Sequence, residues 1–246
     1  MTNESSSHLG IRDWYRLSKG GTRAVFFRDL ETLDCDALMG ALALETSLLP
    51  TGRLRTKVEL EELSRSLVPP IQDLAMRGPS EQTLQWMFMH RNRLLSLTEC
   101  VLARELPTCC AGGSVEGRAD LLAFDQLLAQ PIIVELKCEK ASDPLSGVVL
   151  EVLSHWAFNV RHLADFTAQV TGFGYLPSGP PRLAIVAPEG YYIETRRRTA
   201  RRQCNEYDIA MAWIDALLRN NIVTIDLYAI EDDWLSAGPD FRMWKI

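Results

Sequence analysis

The sequence predicts a mixed α/β protein: a central β-sheet flanked by helices, preceded by a mostly helical N-terminal extension. Two observations predict this class. From residue 80 onward, short apolar and β-branched runs alternate with segments in which apolar residues recur at helical spacing. Before that point the pattern is mostly helical, and no catalytic motif stands out. We therefore divide the chain into an extension over residues 1–78 and an α/β domain over residues 79–246.

The extension begins with polar residues over 1–10. From Trp14 onward the apolar spacing is mostly helical, with one short apolar stretch over residues 24–27. Pro50 and the pair at residues 69–70 predict helix boundaries, because proline lacks the amide hydrogen that continues a helix.

Helix and strand signals locate most elements of the α/β domain. Ser80 predicts the N-cap of its first helix. Asp143, followed by Pro144 at the first helical position, predicts the start of a long amphipathic helix. Strands are further predicted over residues 97–106, 182–187 and 222–230, and a last helix over residues 206–220.

An antiparallel hairpin is predicted in the middle of the domain. Residues 117–125 and 131–138 each have the composition of a strand, and a short turn joins them. If the turn is symmetric, Asp120 and Glu135 face each other across the two strands.

The composition of the 246 residues, with 47% hydrophobic and 24% charged, is that of an ordinary soluble globular protein. No apolar run is long enough to span a bilayer and no signal-peptide core is visible, so we expect a cytoplasmic protein without a membrane partner. The six cysteines form no CxxC pair, which favours reduced thiols over a zinc site. The net charge of −6 does not indicate a nucleic-acid-binding protein, although a local cationic patch can still bind phosphates.

Two charged residues interrupt the apolar strand predicted over residues 131–138. Glu135 and Lys137 share one face of this strand, because alternate side chains of a strand point the same way. A central strand with helices on both faces should be apolar throughout, so charges there must pair or bind an ion. Such departures from a local rule concentrate at functional sites.

Asp120 adds a second carboxylate to this arrangement, in another apolar strand. Two adjacent carboxylates repel, so one takes up a proton unless a cation lies between them. Mg²⁺ or Mn²⁺, which prefer oxygen ligands, would resolve the conflict. Lys137 would then stabilise charge on a phosphate or help to deprotonate an attacking water, which together predicts phosphodiester hydrolysis. The alternatives are a solvated hairpin and a buried Asp120–Lys137 salt bridge.

This region resembles a superfamily of nucleases. The motif residues are Glu81 near the start of the first helix, Asp120 after Gly-Arg-Ala, and the triplet Glu-Leu-Lys that contains Glu135 and Lys137. They resemble the PD-(D/E)XK superfamily, and within it the RecB-type and single-strand or mismatch endonuclease branches. The resemblance implies a restriction-endonuclease-like core, metal ligation by Asp120 and Glu135, and a catalytic Lys137. It also implies that Glu81 contributes to the ion or its waters.

One position departs from the pattern of these branches. Their next helix often carries a glutamine one turn before an aromatic residue, whereas this chain has Glu151 there. An extra acid could alter the number of metal ions, so Glu151 is an auxiliary candidate. Glu105, at the end of the first predicted strand, is a second one and is equally compatible with a solvated side chain. His155 and His162 share the helix with Glu151, and surface or packing roles are favoured over a metal site of their own.

A cluster of arginines stands out in an otherwise acidic chain: Arg196, Arg197, Arg198, Arg201 and Arg202. With Tyr191 and Tyr192 just before them, these residues would clamp a phosphate backbone and stack a base. A solvated charged face is the equally weighted alternative.

The sequence therefore predicts a nuclease that depends on Mg²⁺ or Mn²⁺. Its partner is a nucleic acid, with DNA favoured over RNA, and a homodimer is an assembly that the prediction allows. Two further interpretations stay open. A catalytically silent protein of the same fold would bind nucleic acid or act as a regulator. An unrelated α/β protein would use Asp120 and Lys137 as a structural salt bridge.

Overall fold

In a computed structural model, the described residues are 9–49, 69–108, 117–139, 141–202 and 205–246. They form a mixed sheet of six strands, arranged side by side in chain order, with helices on both faces. This confirms the predicted α/β class. The strands are β1 Glu99–Pro107, β2 Arg118–Asp125, β3 Gln130–Leu136, β4 Arg182–Pro188, β5 Ile225–Ile230 and β6 Met243–Lys245.

Helices precede the sheet and connect its strands. Those before β1 are α1 Ile11–Ser18, α2 Arg23–Asp29, α3 Cys35–Leu48, α4 Ile71–Ala75 and α5 Glu81–Arg91. Those after β3 are α6 Leu145–Arg161, α7 Leu163–Gly172, α8 Glu189–Arg202, α9 Glu206–Arg219 and α10 Trp234–Ala237. The predicted helical N-terminal region is therefore present, and the apolar stretch at residues 24–27 lies in α2. Pro50 and residues 1–8 lie outside the described residues, and the boundary between residues 78 and 79 stays a prediction.

The hairpin of β2 and β3 has the predicted register. Leu121 pairs with Val134, and the same register continued by one step sets Asp120 opposite Glu135. The turn between the strands is fixed by its first residues, since one carboxylate oxygen of Asp125 accepts two backbone amides of the turn at 2.9 and 3.2 Å. Local chemistry thus sets the alignment of the two strands.

Beyond the hairpin the sheet becomes parallel. β3 pairs with β4, and β4 with β5, in parallel. Such pairs need crossover connections, which α6 and α7 supply for the first pair and α8 and α9 for the second. β1 adds antiparallel to β2, with a bulge between Val101 and Ala103, and β6 adds antiparallel to β5. The carboxyl end of β3 therefore lies in the interior of the sheet, between β2 and β4.

Each face of the sheet buries its own set of apolar side chains. On one face Ile133 and Ile185 belong to a hydrophobic cluster that includes α6 and the N-terminal helices α1 and α3. On the other face Val134 and Val186 pack in a second cluster with side chains of α5. Helix α6 contacts the sheet, α1 and α3, so most of its side chains are buried. The N-terminal helices thus form an outer layer over the helix that packs on β3.

The start of α6 differs from the prediction. The helix begins at Leu145, with Pro144 at the N-cap position, so the predicted N-cap role of Asp143 is wrong. The reason is that the Asp143 carboxylate is bound by two cations of the N-terminal region. Lys19 lies 2.7 Å and Arg23 3.1 Å from its oxygens.

Candidate active site

Glu135 and Lys137 lie at the carboxyl end of β3, on the face that packs against α6. Each is buried, with only 3% of its surface exposed. The Lys137 ammonium donates a hydrogen bond to Glu135 Oε1 at 2.6 Å, and the Lys137 amide donates to the carbonyl of Val186 in β4 at 2.9 Å. The solvated-hairpin alternative is therefore wrong, because both charged side chains are held inside the protein.

Helix α6 brings Glu151 and His155 to the same place. The Lys137 Nζ atom lies 3.1 Å from Glu151 Oε2, and His155 Nε2 lies 3.9 Å from Glu135 Oε2. Glu151, an auxiliary candidate in the sequence, is thus a direct neighbour of Lys137. Sequence analysis favoured a surface or packing role for His155. The structure buries its ring beside the carboxylates of Glu135 and Glu151, so the surface role is wrong. The spacing of four residues between Glu151 and His155 was the available signal, since it puts both on one helix face.

Asp120 lies in the hairpin beside the group of charged side chains formed by Glu135, Lys137, Glu151 and His155. Its Oδ1 accepts a hydrogen bond from Gln85 Nε2, and its Oδ2 accepts one from the Leu136 amide, both at 2.6 Å. Burial raises the pKa of Asp120 from 3.8 to about 7, although Lys137 and these two hydrogen bonds oppose the shift. The alternative of a direct Asp120–Lys137 salt bridge is wrong for the described residues, because the ammonium pairs with other carboxylates.

Glu81 reaches the group from α5. The Ser80 hydroxyl accepts a hydrogen bond from the Thr83 amide at 3.1 Å, which caps the helix as predicted and sets Glu81 in its first turn. The Glu81 Oε1 atom lies 3.9 Å from Lys137 Nζ, and 39% of the Glu81 side chain is exposed. Burial raises the pKa of Glu81, with Lys137 acting in the opposite direction. Glu81 therefore marks the side from which solvent approaches Lys137.

Several carboxylates surround the single ammonium of Lys137. Burial lowers the pKa of Lys137, but the negative charges of Glu135, Glu151, Glu81 and Asp120 outweigh it and hold the pKa well above 10.5. Lys137 is therefore protonated in this arrangement, which fits stabilisation of phosphate charge. Burial, with Asp120 and Glu151 close by, raises the pKa of Glu135 well above 4.5. The excess of negative charge is of the kind that a bound cation balances.

The N-terminal helix α1 covers this group. The Tyr15 hydroxyl donates a hydrogen bond to Glu151 Oε1, and Lys19 Nζ lies 3.6 Å from Glu151 Oε2. Burial raises the pKa of Glu151, but the charges of Lys137 and Lys19 outweigh this effect and lower the pKa to about 2. Sequence analysis found no functional residue in the extension. The only signal was that Lys19, the residue after the last residue of α1, follows Tyr15 by four positions.

Two other sequence candidates have different surroundings. Glu105, near the end of β1, accepts a hydrogen bond from Arg118 at 3.1 Å. His162 follows the last residue of α6, and its ring packs against Phe158 with the ring centroids 4.8 Å apart. Glu105 is thus engaged in an ion pair with a strand neighbour, and His162 has the packing role that was favoured.

The arginine cluster lies in α8, a helix that sequence analysis did not predict. Arg196 and Arg197 are exposed, and Arg196 donates a hydrogen bond to the Tyr207 hydroxyl at 2.7 Å. Arg198 donates to the backbone carbonyls of residues 141 and 142, at 3.3 and 3.0 Å. Those residues belong to the segment that leads from Lys137 to α6, so this part of α8 lies next to that segment.

The two tyrosines before the arginines do not form a base-stacking surface. Tyr191 and Tyr192 are 0% and 4% exposed, and their hydroxyls donate to backbone carbonyls inside the protein. Their predicted stacking role is wrong, because the first turn of α8 packs into the core. Arg201 and Arg202 belong to the same helix, and their side chains lie outside the described part of the chain.

We compared the chain with models of protein families, with curated proteins and with solved structures, and it matches none of them. The resemblance to the PD-(D/E)XK superfamily stays a prediction that rests on the motif residues. Among the described residues, no helix is both long enough and apolar enough to cross a membrane.

Two overlapping sets of ligand atoms could hold a metal ion near Lys137. One set is the predicted pair, Asp120 and Glu135, which supplies only oxygen. In the other, single ligand atoms of Glu135, Glu151 and His155 all lie within 4.8 Å of one another. Both sets have ligand types that a divalent ion binds, because a cation would offset the repulsion between neighbouring carboxylates. Both oxygens of Asp120 also accept hydrogen bonds at 2.6 Å.

Proposed function

We propose that this chain is a divalent-metal-dependent nuclease that hydrolyses phosphodiester bonds, with DNA preferred over RNA. The observation that carries the proposal is the buried Lys137 ammonium among Glu135, Glu151 and Glu81, beside an Asp120 of raised pKa. Carboxylates that are hard to ionise together, next to a lysine that stays charged, are suited to bind a divalent ion and a phosphate. A homodimer and a cytoplasmic location are proposed with this function.

In this proposal each residue has a distinct role. Asp120 and Glu135 would hold a Mg²⁺ or Mn²⁺ ion, which when bound polarises a phosphoryl oxygen and lowers the pKa of a coordinated water. The Lys137 ammonium would stabilise the negative charge that develops on the phosphate in the transition state. The Glu81 carboxylate would accept hydrogen bonds from water at the open side of the group.

The exposure of the acids supports an approach of the phosphate from the side of Glu81. The side chain of Glu81 is 39% exposed, whereas that of Glu151, beneath α1, is 12% exposed. The exposed Arg196 and Arg197 would bind the flanking backbone. Their neighbour Arg198 is tied to the segment between β3 and α6, which supports a position of α8 beside the path of the nucleic acid.

A catalytically silent protein of the same fold is the second candidate. The observation that favours it is the closed ion-pair network: Lys137 lies 2.6 Å from Glu135 and 3.1 Å from Glu151, and Tyr15 covers Glu151. Such a protein would bind nucleic acid through its arginines and would not cleave it.

Nicking of supercoiled plasmid separates the two candidates. Wild-type protein should nick the plasmid with Mn²⁺ or Mg²⁺, not with a chelator, and should cleave an RNA of equal length more slowly. Glu135→Gln should reduce the rate by about 100-fold or more, because it removes charge at the metal and the transition state. Glu139→Gln, an exposed glutamate four residues later, is the matched control and should retain the wild-type rate. Plasmid binding without metal-dependent nicking by the wild type would contradict the nuclease and favour the silent protein.

A further inference from the structure

We propose that Glu135, Glu151 and His155 form a binding site for a divalent transition-metal ion, Zn²⁺ or Mn²⁺ in preference to Mg²⁺. This goes beyond the proposed function, which requires only Asp120 and Glu135 as oxygen ligands. The site adds an imidazole and a second carboxylate, both from α6, on the face of β3 that the helix covers.

Three buried atoms that make no hydrogen bond, one from each side chain, point to a ligand. Glu135 Oε2, Glu151 Oε2 and His155 Nε2 are all buried, and none of them makes a hydrogen bond. The side chains of Glu135 and His155 are only 5% and 6% exposed. A buried polar atom without a partner costs about 1–3 kcal/mol, so such atoms are rare in folded proteins. Here they come together at one place, which a shared ion would explain.

The other atoms of these side chains already have partners. Glu135 Oε1 accepts a hydrogen bond from Lys137 at 2.6 Å, and Glu151 Oε1 accepts one from the Tyr15 hydroxyl. Glu151 Oε2 lies 3.1 Å from the Lys137 ammonium, as an ion pair without hydrogen-bond geometry. Lys137 and Tyr15 therefore hold the first oxygen of each glutamate. The second oxygen of Glu135 has no hydrogen bond, and that of Glu151 faces the ammonium groups of Lys137 and Lys19 at 3.1 and 3.6 Å, which a bound metal ion would displace.

The orientation of His155 fits a metal ligand. Its Nδ1 lies 3.1 Å from Thr108 Oγ1. A metal-bound histidine typically donates its second ring N–H to a carboxylate, a backbone carbonyl or water, and the Thr108 hydroxyl takes that position here. With the proton on Nδ1, the Nε2 lone pair faces Glu135 Oε2 at 3.9 Å, which is repulsive unless a cation, or a proton on the Glu135 carboxyl group, lies between them. With the proton on Nε2, the same distance is too long for a hydrogen bond. The glycine at residue 117 leaves room for the contact between Thr108 and His155. A Cβ atom at residue 117 would lie 3.0 Å from Thr108 Oγ1 and 3.3 Å from His155 Cε1.

The distances and the ligand types indicate which ions fit. Bonds from Zn²⁺ to nitrogen or oxygen are about 2.0–2.2 Å long, so two ligand atoms of a tetrahedral ion lie about 3.4 Å apart. His155 Nε2 and Glu135 Oε2 are 3.9 Å apart, so these two side chains would move closer by about 0.5 Å around a bound ion. Imidazole suits transition metals, whereas Mg²⁺ prefers oxygen ligands and retains its waters.

Calorimetric titration of the full chain with Zn²⁺, Mn²⁺ and Mg²⁺, after removal of bound ions with a chelator, tests the site without nucleic acid. His155→Gln should weaken Zn²⁺ and Mn²⁺ binding by about 10-fold or more and change Mg²⁺ binding by less than about twofold. His90→Gln is the matched control, because His90 lies on α5 and contacts the Pro69 carbonyl at 2.8 Å. It should retain wild-type affinity for all three ions. Equal Zn²⁺ affinity of His155→Gln and wild type would overturn the proposal.

A spectroscopic measurement on the wild type covers the case in which His155→Gln does not fold. Pulsed electron paramagnetic resonance of protein with one equivalent of Mn²⁺ should detect a directly bound imidazole nitrogen, and its absence would overturn the proposal. The two proposals fail separately. Nitrogen coupling in a protein that nicks no plasmid would contradict the nuclease function alone, whereas Mg²⁺-dependent nicking without nitrogen coupling would contradict the histidine site alone.

Discussion

Replacing Asp120 by asparagine should change how the free energy of unfolding depends on pH. Burial raises the pKa of Asp120 from 3.8 to about 7 in the folded protein. Because the folded pKa is raised, the folded state binds more protons between these values. The stabilising contribution is therefore complete below pH 3.8 and is lost as the pH rises through 7. At about 1.4 kcal/mol per pKa unit, the loss between pH 5 and pH 8 amounts to about 3 kcal/mol.

The asparagine can be accommodated because Gln85 can reverse its side-chain amide. In the wild type, Gln85 Nε2 donates to Asp120 while Gln85 Oε1 is buried without a partner. After reversal, Gln85 Oε1 accepts a hydrogen bond from the new amide group. The oxygen of that group still accepts the Leu136 amide. The variant thus keeps both hydrogen bonds, and only the titrating charge is removed.

Urea unfolding in the presence of a chelator, at pH 5 and pH 8, measures the effect. Relative to the wild type, Asp120→Asn should gain about 3 kcal/mol in free energy of unfolding between the two pH values. Asp215→Asn is the matched control, because the Asp215 side chain is 59% exposed, and it should follow the wild type within about 0.5 kcal/mol. A difference between Asp120→Asn and wild type that is the same at both pH values would refute the reasoning.

Three further changes test other parts of the structure. Arg182→Met removes the partner of three buried carboxylates and should lower the free energy of unfolding in urea by about 3–5 kcal/mol. Arg219→Gln, from an exposed ion pair, should change it by less than about 0.5 kcal/mol, and equal effects would contradict the role of burial. Tyr15→Phe removes a hydrogen bond to the Glu151 carboxylate and should lower the free energy of unfolding in urea by about 1.5–3 kcal/mol. An unchanged free energy of unfolding would show that this contact of α1 does not stabilise the protein. The double variant Arg196→Gln/Arg197→Gln should bind DNA with a weaker salt dependence. The slope of log affinity against log salt concentration should fall by about 0.9 for each phosphate that the variant no longer neutralises. An unchanged slope would show that neither side chain contacts DNA.

The β2–β3 hairpin shows which part of the site could be predicted from the sequence. Its register depends on the alternation of side chains and on the length of the turn, and both are local properties. The position of Asp120 opposite Glu135, and the shared face of Glu135 and Lys137, follow from them. The apolar neighbours of these residues indicated a strand covered on both faces, which is why burial of the charges could be expected.

The remainder of the site depends on tertiary packing. Helical periodicity sets Glu151 and His155 on one face, but it does not tell whether that face meets the sheet or solvent. The cover supplied by Tyr15 requires α1 to fold back over α6, and no local pattern specifies this contact. Tyr191 was predicted to be exposed and is buried for the same reason. An aromatic residue beside a run of arginines is equally compatible with an exposed surface and with the core.

Nicking by Lys137→Met tests the proposed nuclease most directly. The change removes the buried ammonium, keeps most of the aliphatic stem and leaves every carboxylate of the site in place. With Mn²⁺, the variant should still bind the ion in a calorimetric titration, because the ion balances the carboxylates that Lys137 no longer neutralises. Plasmid nicking by the same preparation should fall by about 100-fold or more, since the ammonium acts mainly in the transition state. Nicking by Lys137→Met at the wild-type rate would contradict the catalytic role of Lys137.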